Sequence, residues 1–327
     1  MRKVLFATTA LATAAGALAV ANADVSISGS QEWRYYSVSD DVTSRSSDTN
    51  FDADTDVTIS FSTTTDSGLT LGMTSNLSET AGGTTTSSIG GDFGTVTVSE
   101  GSTAVHAAGS YDVTSVGIAG GHGDIAWALT NSSNTAVTAV EIDEAQIDDT
   151  SSGAVIMYHS PSYGGFSFGV GSSHLTTSDD NSSMSMGAKY SGSMGDVSYT
   201  IGYATYDGST ANTKGNHVGA NISWDAVTFG IGSSTNETSA SSKKETLSYS
   251  VNYAVSDDLT VNIGVSQSEN KMGTAADLEA SNTTVGAAYT IAPGLTANLS
   301  SHSFSYKSGG AVNNDGSVVQ AEIKMSF

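Results

Sequence analysis

Between residues 101 and 152 lie seven carboxylates, Asp112, Asp124, Glu141, Asp143, Glu144, Asp148 and Asp149, with no lysine or arginine among them. If residues 137–149 coil into a short helix, three- and four-residue spacing places Glu141, Glu144 and Asp148 on one face. Val140 and Ile147 then turn the other way, suited to pack on a wall. Carboxylates gathered on one face attract cations, and their oxygens are preferred ligands of Ca²⁺, so the segment is a candidate for loose Ca²⁺ binding. A stretch this long between ordinary elements usually has a function; the plainer alternative is a solvated acidic loop. No other residues suggest chemistry. His106, His122, His159, His174, His217 and His302 lie far apart, without metal-ligand spacing. Serine is abundant, but no Gly-x-Ser-x-Gly elbow is present. The expectation is therefore no enzyme and no required cofactor.

Composition narrows the classes further. The chain has 327 residues, 11 basic against 33 acidic, no cysteine and 2 prolines. With 55 serines and 40 threonines, roughly three residues in ten carry a small hydroxyl. So few basic residues exclude a nucleic-acid partner, which needs cations to displace counterions. Disulfides and thiolate metal sites are impossible without cysteine. Met1-Arg2-Lys3, the weakly apolar run Val4–Val20 and Ala21-Asn22-Ala23 read as an export signal over residues 1–23, cleaved to leave 24–327. No later run reaches the ~18 apolar residues of a membrane helix.

The elements that must position the acidic segment are strands. Val319, Ala321, Ile323, Met325 and Phe327 share one parity; Val318, Gln320, Glu322, Lys324 and Ser326 share the other. A period of two assigns the sets to opposite faces. The pattern recurs at Val57-x-Ile59-x-Phe61, Leu69-x-Leu71-x-Met73, Val197-x-Tyr199-x-Ile201-x-Tyr203, Val218 to Trp224, Leu259 to Val265 and Leu295 to Leu299. Short turn signals fall at 66–68, 91–94, 160–165, 192–196, 225–226, 256–258 and 292–294. They alternate with longer polar stretches at 38–54, 80–86, 101–152, 175–182, 208–215, 236–244, 270–280 and 308–316. Seven turns and eight loops predict sixteen strands of roughly 8 to 12 residues, the length that crosses a tilted bilayer path. An even count returns both ends to one side. Backbone groups in lipid need internal partners, so the strands must close into an all-β transmembrane antiparallel barrel. Phe93, Tyr163, Phe166, Trp224, Phe229 and Phe327 lie by the short turns, and Trp33, Tyr35, Tyr206, Phe304 and Tyr306 by the long loops, predicting two aromatic girdles.

The whole chain resembles the general diffusion porins of Gram-negative bacteria, in particular the alphaproteobacterial, Rhodobacter-like type. The resemblance rests on Asp24-Val25-Ser26-Ile27-Ser28-Gly29 after the export signal, on Gly90-Gly91-Asp92-Phe93-Gly94-Thr95-Val96-Thr97-Val98, on the hairpin Tyr158-His159-Ser160-Pro161 to Phe166-Ser167-Phe168-Gly169, and on terminal Phe327. It implies a homotrimer of sixteen-stranded barrels in outer-membrane lipid and lipopolysaccharide, with both termini periplasmic. Each barrel would hold a water-filled channel narrowed by an inward-folded third loop, here 101–152. It also implies that Phe327 is the signal read by the barrel-assembly machinery. The constriction would then carry Glu141, Asp143, Glu144, Asp148 and Asp149. The family's basic cluster faces that loop from the wall, and one member normally follows the Thr-Val-Thr-Val strand. Here Ser99-Glu100 stands in that place, a reversal of charge. Glu100 has outward parity, so reaching the constriction needs a position past the strand end or on a bulge. By parity Arg34, His159, Lys189, His217 and His302 belong to the lumen wall, with Lys324 beside Glu322 near the periplasmic exit. The functional expectation is passive diffusion of small hydrophilic solutes and ions with a preference for cations. The alternative is a structural or adhesive outer-membrane barrel with a plugged lumen.

Overall fold

A computed structural model describes residues 24–41, 49–78, 84–100, 111, 113, 145–146, 154–174, 182–208, 213–239, 242–273 and 276–327. The first half of the sheet is β1 (Asp24–Asp40), β2 (Thr49–Thr64), β3 (Thr70–Ser78), β4 (Thr84–Gly91), β5 (Gly94–Glu100), β6 (Ala154–His159), β7 (Phe166–His174) and β8 (Ser182–Met194). The second half is β9 (Val197–Asp207), β10 (Lys214–Trp224), β11 (Val227–Ser239), β12 (Ser242–Ala254), β13 (Leu259–Lys271), β14 (Leu278–Ala292), β15 (Leu295–Ser308) and β16 (Ala311–Ser326). Each strand pairs antiparallel with its neighbours, and β1 pairs with β16, so the sixteen close into one barrel. The expected export signal, 1–23, lies outside the described residues.

All seven short turns fall where the turn residues predict them. Apart from 101–152, the polar stretches are shorter than expected. Stretch 38–54 contracts because β1 runs to Asp40 and β2 begins at Thr49; 236–244 contracts because β11 runs to Ser239 and β12 begins at Ser242. Stretch 308–316 contracts to Gly309-Gly310, whose φ angles of 60° and 78° allow a two-residue hairpin turn. Strands therefore span 6 to 17 residues rather than 8 to 12. The longest ones exceed what a bilayer needs, and their polar ends pair above it.

Alternation sorts the two faces. Ile27, Phe61, Met73, Ile156, Met186, Ile201, Ile222, Val285 and Leu299 are exposed on the outside, the apolar band of a lipid-facing wall. Above it, ion pairs link outer-face side chains: Lys214–Glu237 at 3.4 Å, Lys271–Glu245 at 3.1 Å and Lys307–Glu279 at 3.9 Å. Such exposed pairs contribute only about 0–1 kcal/mol each. Inside, the many hydroxyls pair across strands, as in Thr86–Ser99 at 3.1 Å and Thr246–Ser268 at 3.0 Å. One expectation is corrected here. Tyr206, Phe304 and Tyr306 do not join the outer girdle. Their parity turns them inward, where Phe304 and Tyr306 pack with Tyr36, Val38, Leu278, Ala280 and Val318.

Candidate functional site

The interior is built from the inward set of each strand. Across five strands that set includes a row of glycines: Gly169 opposite Gly187, Gly202 opposite Gly219, and Gly219 opposite Gly232, with a two-residue offset between β8 and β9, where Gly187 stands opposite Ala204. The described residues of segment 101–152 lie on this row. A Cβ on Gly187 would come within 2.6 Å of Tyr111 Cβ, and one on Gly169 within 2.5 Å of the Tyr111 ring. Val113 covers Gly202 and Gly219, and Ala145 lies over Gly232. Without side chains on the wall, Tyr111, Val113 and Ala145 sit directly on the sheet. Tyr111, Val113 and Ala145 are accordingly buried.

Polar contacts hold the described residues of the segment. Tyr111 Oη lies 3.2 Å from His159 Nδ1 and the two rings stack at 5.7 Å. Lys189 Nζ stands 5.5 Å from the centre of the Tyr111 ring, a cation–π distance. Two of the expected wall residues, His159 and Lys189, are thus brought together by Tyr111. Further along the chain the Ala145 amide donates to Ser248 Oγ at 2.9 Å, and Asn236 Nδ2 donates to the Gln146 carbonyl at 2.9 Å.

Arg34 faces inward as expected, but within a carboxylate-rich cluster at the β1–β16 seam. Its Nε donates to Glu322 at 3.0 Å, and Nη1 is 3.9 Å from Asp52. A further guanidinium nitrogen pairs with Glu32. Lys324 pairs with Glu32 rather than with Glu322, two residues away on its own strand. Glu322 is occupied by Arg34 and by Asn298, which donates to it at 2.6 Å. The difference follows from register: Lys324 stands opposite Glu32, whereas Arg34 stands opposite Glu322.

His217 and His302 lie on the inner face but are fully buried, so neither is exposed to a water-filled passage. His302 sits between Thr284 Oγ1 at 2.9 Å and Ser300 Oγ at 3.0 Å. Glu100 ends β5 in regular pairing opposite Thr85, with no bulge there. Glu141, Asp143, Glu144, Asp148 and Asp149 lie outside the described residues. Among the described residues, no group of three His, Asp or Glu side chains is arranged to hold a metal ion.

A closed sixteen-stranded barrel with an apolar exterior, a hydroxyl-lined interior and Tyr111, Val113 and Ala145 packed on its inner wall has the architecture of an outer-membrane channel protein. The chain belongs to the Gram-negative porin family, whose model matches residues 7–309. It is thus a multi-pass outer-membrane barrel of a channel family. No curated protein matches it. Among solved structures it is similar to a porin refined at 1.8 Å resolution, with 18% identity, a TM-score of 0.61, and 93% of this chain and 100% of that one covered. A mutant of the Rh. blastica porin gives the same identity, coverage and TM-score. OmpT of Vibrio cholerae, with one loop deleted, gives 11% identity and a TM-score of 0.65 over 93% of this chain and 99% of that one. At these identities the likeness is one of fold.

Proposed function

We propose that this porin is a passive diffusion channel for small hydrophilic solutes and ions, with a preference for cations. The observation that carries the reading is the inner face: hydroxyls dominate it, and of its inward basic residues Arg34, Lys189, Lys244 and Lys324, two, Arg34 and Lys324, are paired with carboxylates. Segment 101–152 supplies the constriction in this reading, with Glu141, Asp143, Glu144, Asp148 and Asp149 along the ion path and Ca²⁺ held weakly by Glu141, Glu144 and Asp148. The protein assembles as a homotrimer in lipid and lipopolysaccharide with periplasmic termini, after loss of residues 1–23.

Magnitudes support the preference. One carboxylate about 5 Å from an ion's path contributes about 0.8 kcal/mol at the dielectric constant of water. Since 1.4 kcal/mol is tenfold, that is about fourfold in ion ratio. Low-dielectric walls strengthen the field and salt screens it over about 10 Å at 0.1 M. Purified protein in planar bilayers is expected to give stepwise conductance with a cation-directed reversal potential that shrinks as ionic strength rises. Replacing Glu141, Glu144 and Asp148 by Gln, Gln and Asn should move that potential toward zero. An unchanged potential would mean that these three residues are solvated surface.

A plugged barrel is the second reading. What favours it is the burial of inward side chains near mid-height on β12, β14, β15 and β16, among them Ser248, Thr284, His302 and Asn314 at 0% exposure. A silent bilayer would select it.

A further inference from the structure

The interior is not evenly covered. On β6 to β16 the inward side chains near mid-height are buried, from Val155 and Ser173 through Ser234 and Asn262 to Gln320. On β2, β3 and β4 the inward side chains, from Asp52 to Ser60, Thr74 and Asn76, Thr86 and Ser88, remain partly exposed. The least covered part of the inner wall, among the described residues, is therefore that of β2 to β4 and the adjoining part of β1.

That wall is acidic. In β2 the residues Phe51, Ala53, Thr55, Val57, Ile59 and Phe61 face outward, so Asp52, Asp54 and Asp56 face inward one above another. Register sets Arg34 opposite Asp52, Glu32 opposite Asp54, and Ser30 opposite Asp56. Across the seam, Arg34 stands opposite Glu322 and Glu32 opposite Lys324. Three neighbouring strands thus bring five carboxylates (Glu32, Asp52, Asp54, Asp56, Glu322) against two cations (Arg34, Lys324), a formal difference of three negative charges.

Both cations are engaged. Arg34 meets Glu322, Asp52 and Glu32, and Lys324 meets Glu32. Among the described residues no cation pairs with Asp54 or Asp56, and Asp54 Oδ1 accepts no hydrogen bond. An anion beside this wall therefore meets guanidinium and ammonium groups whose charge is already offset. A cation meets carboxylates with charge to spare. The sign is opposite to the basic wall that the family resemblance implies.

Resting on the channel reading above, we propose that the β1–β2 wall selects the permeating ion, with Asp54 and Asp56 as its determinants. They favour inorganic cations and cationic solutes over anions of equal size, independently of the acidic segment 101–152. Burial asymmetry picks out the least covered wall and the ion-pair pattern sets its sign, and neither observation depends on the other.

The test is the reversal potential of Asp54→Asn/Asp56→Asn in planar bilayers under a KCl gradient, beside wild type. Neither carboxylate holds a cation, so these near-isosteric changes remove charge without breaking an ion pair. The single variant Asp54→Asn serves if the double variant does not fold. An outer-face control, Glu269→Gln/Glu279→Gln, should leave the potential unchanged. The cation-to-anion permeability ratio of the double variant is expected to fall about threefold or more, with the single variant between it and wild type. A cation-selective wild type whose ratio is unaltered in whichever variant folds would overturn this proposal alone. A silent or anion-selective wild type would overturn the channel reading or its cation preference, and this proposal with it.

Discussion

Deleting Phe327 is expected to remove most of the folded, heat-modifiable barrel from the outer membrane. The last strand must close on the first, and the final residue completes that seam. Beyond the register from Ser30↔Ser326 to Asp40↔Gly316, Phe327 N donates to the Gly29 carbonyl at 3.0 Å and Gly29 N donates to the Phe327 carbonyl at 3.1 Å. The ring lies over Gly29, where a Cβ would come within 2.8 Å of Phe327 Cζ. Without Phe327 the seam loses both backbone bonds and exposes groups of β1 at a membrane interface. In hydrocarbon each unsatisfied backbone group costs several kcal/mol, and an open edge invites pairing with another chain. Semi-native electrophoresis of outer-membrane fractions, unboiled against boiled, measures the outcome. Gly29→Val should also lower the folded form, since a Cβ there would come within 2.7 Å of the Asp56 carbonyl oxygen as well as displacing the ring. Wild-type levels of the folded form in the deletion would contradict both seam closure and the role of Phe327 as an assembly signal.

The strand count and short turns were legible because lipid on one side and a polar interior on the other impose a period of two. The ends of strands were less legible for the same reason. Where a strand rises above the bilayer both faces are polar, hydropathy loses its period, and segments such as Asn236-Glu237 and Lys243-Lys244-Glu245 look like loop. Their partners lie on other strands: Lys214 for Glu237, Lys271 for Glu245. The acidic wall offered a signal that was missed. In Phe51-Asp52-Ala53-Asp54-Thr55-Asp56-Val57 the alternation continues upward from Val57, but Asp52 and Asp54 fall within stretch 38–54, which reads as a loop. Tyr206, Phe304 and Tyr306 show the converse error, in which nearness to a loop outweighed parity. Parity determines which way a strand residue points.

The glycine row needed register, and its loss should have the second large effect. An isolated glycine in a strand signals a bulge or a close approach without saying which. Only when β7 to β11 are laid side by side do Gly169, Gly187, Gly202, Gly219 and Gly232 form one strip, with Tyr111, Val113 and Ala145 upon it. Gly219 is the most restrictive position, because a Cβ there would overlap the Val113 carbonyl group, which is backbone and cannot rotate away. Gly219→Val should therefore leave the barrel folded, since strands welcome valine, and lift the segment from the wall. Overpacking of this kind costs about 1–3 kcal/mol, which weakens docking by roughly 5- to 150-fold at 1.4 kcal/mol per tenfold. Protease added to intact cells should then cut within 101–152 in the variant and spare the wild type. Single-channel current should become noisy and leave its wild-type level. Val218→Leu, on the exposed outer face of the same strand, provides a control away from the row. A Gly219→Val barrel that stays uncut with wild-type current would show that the glycine row does not seat the segment.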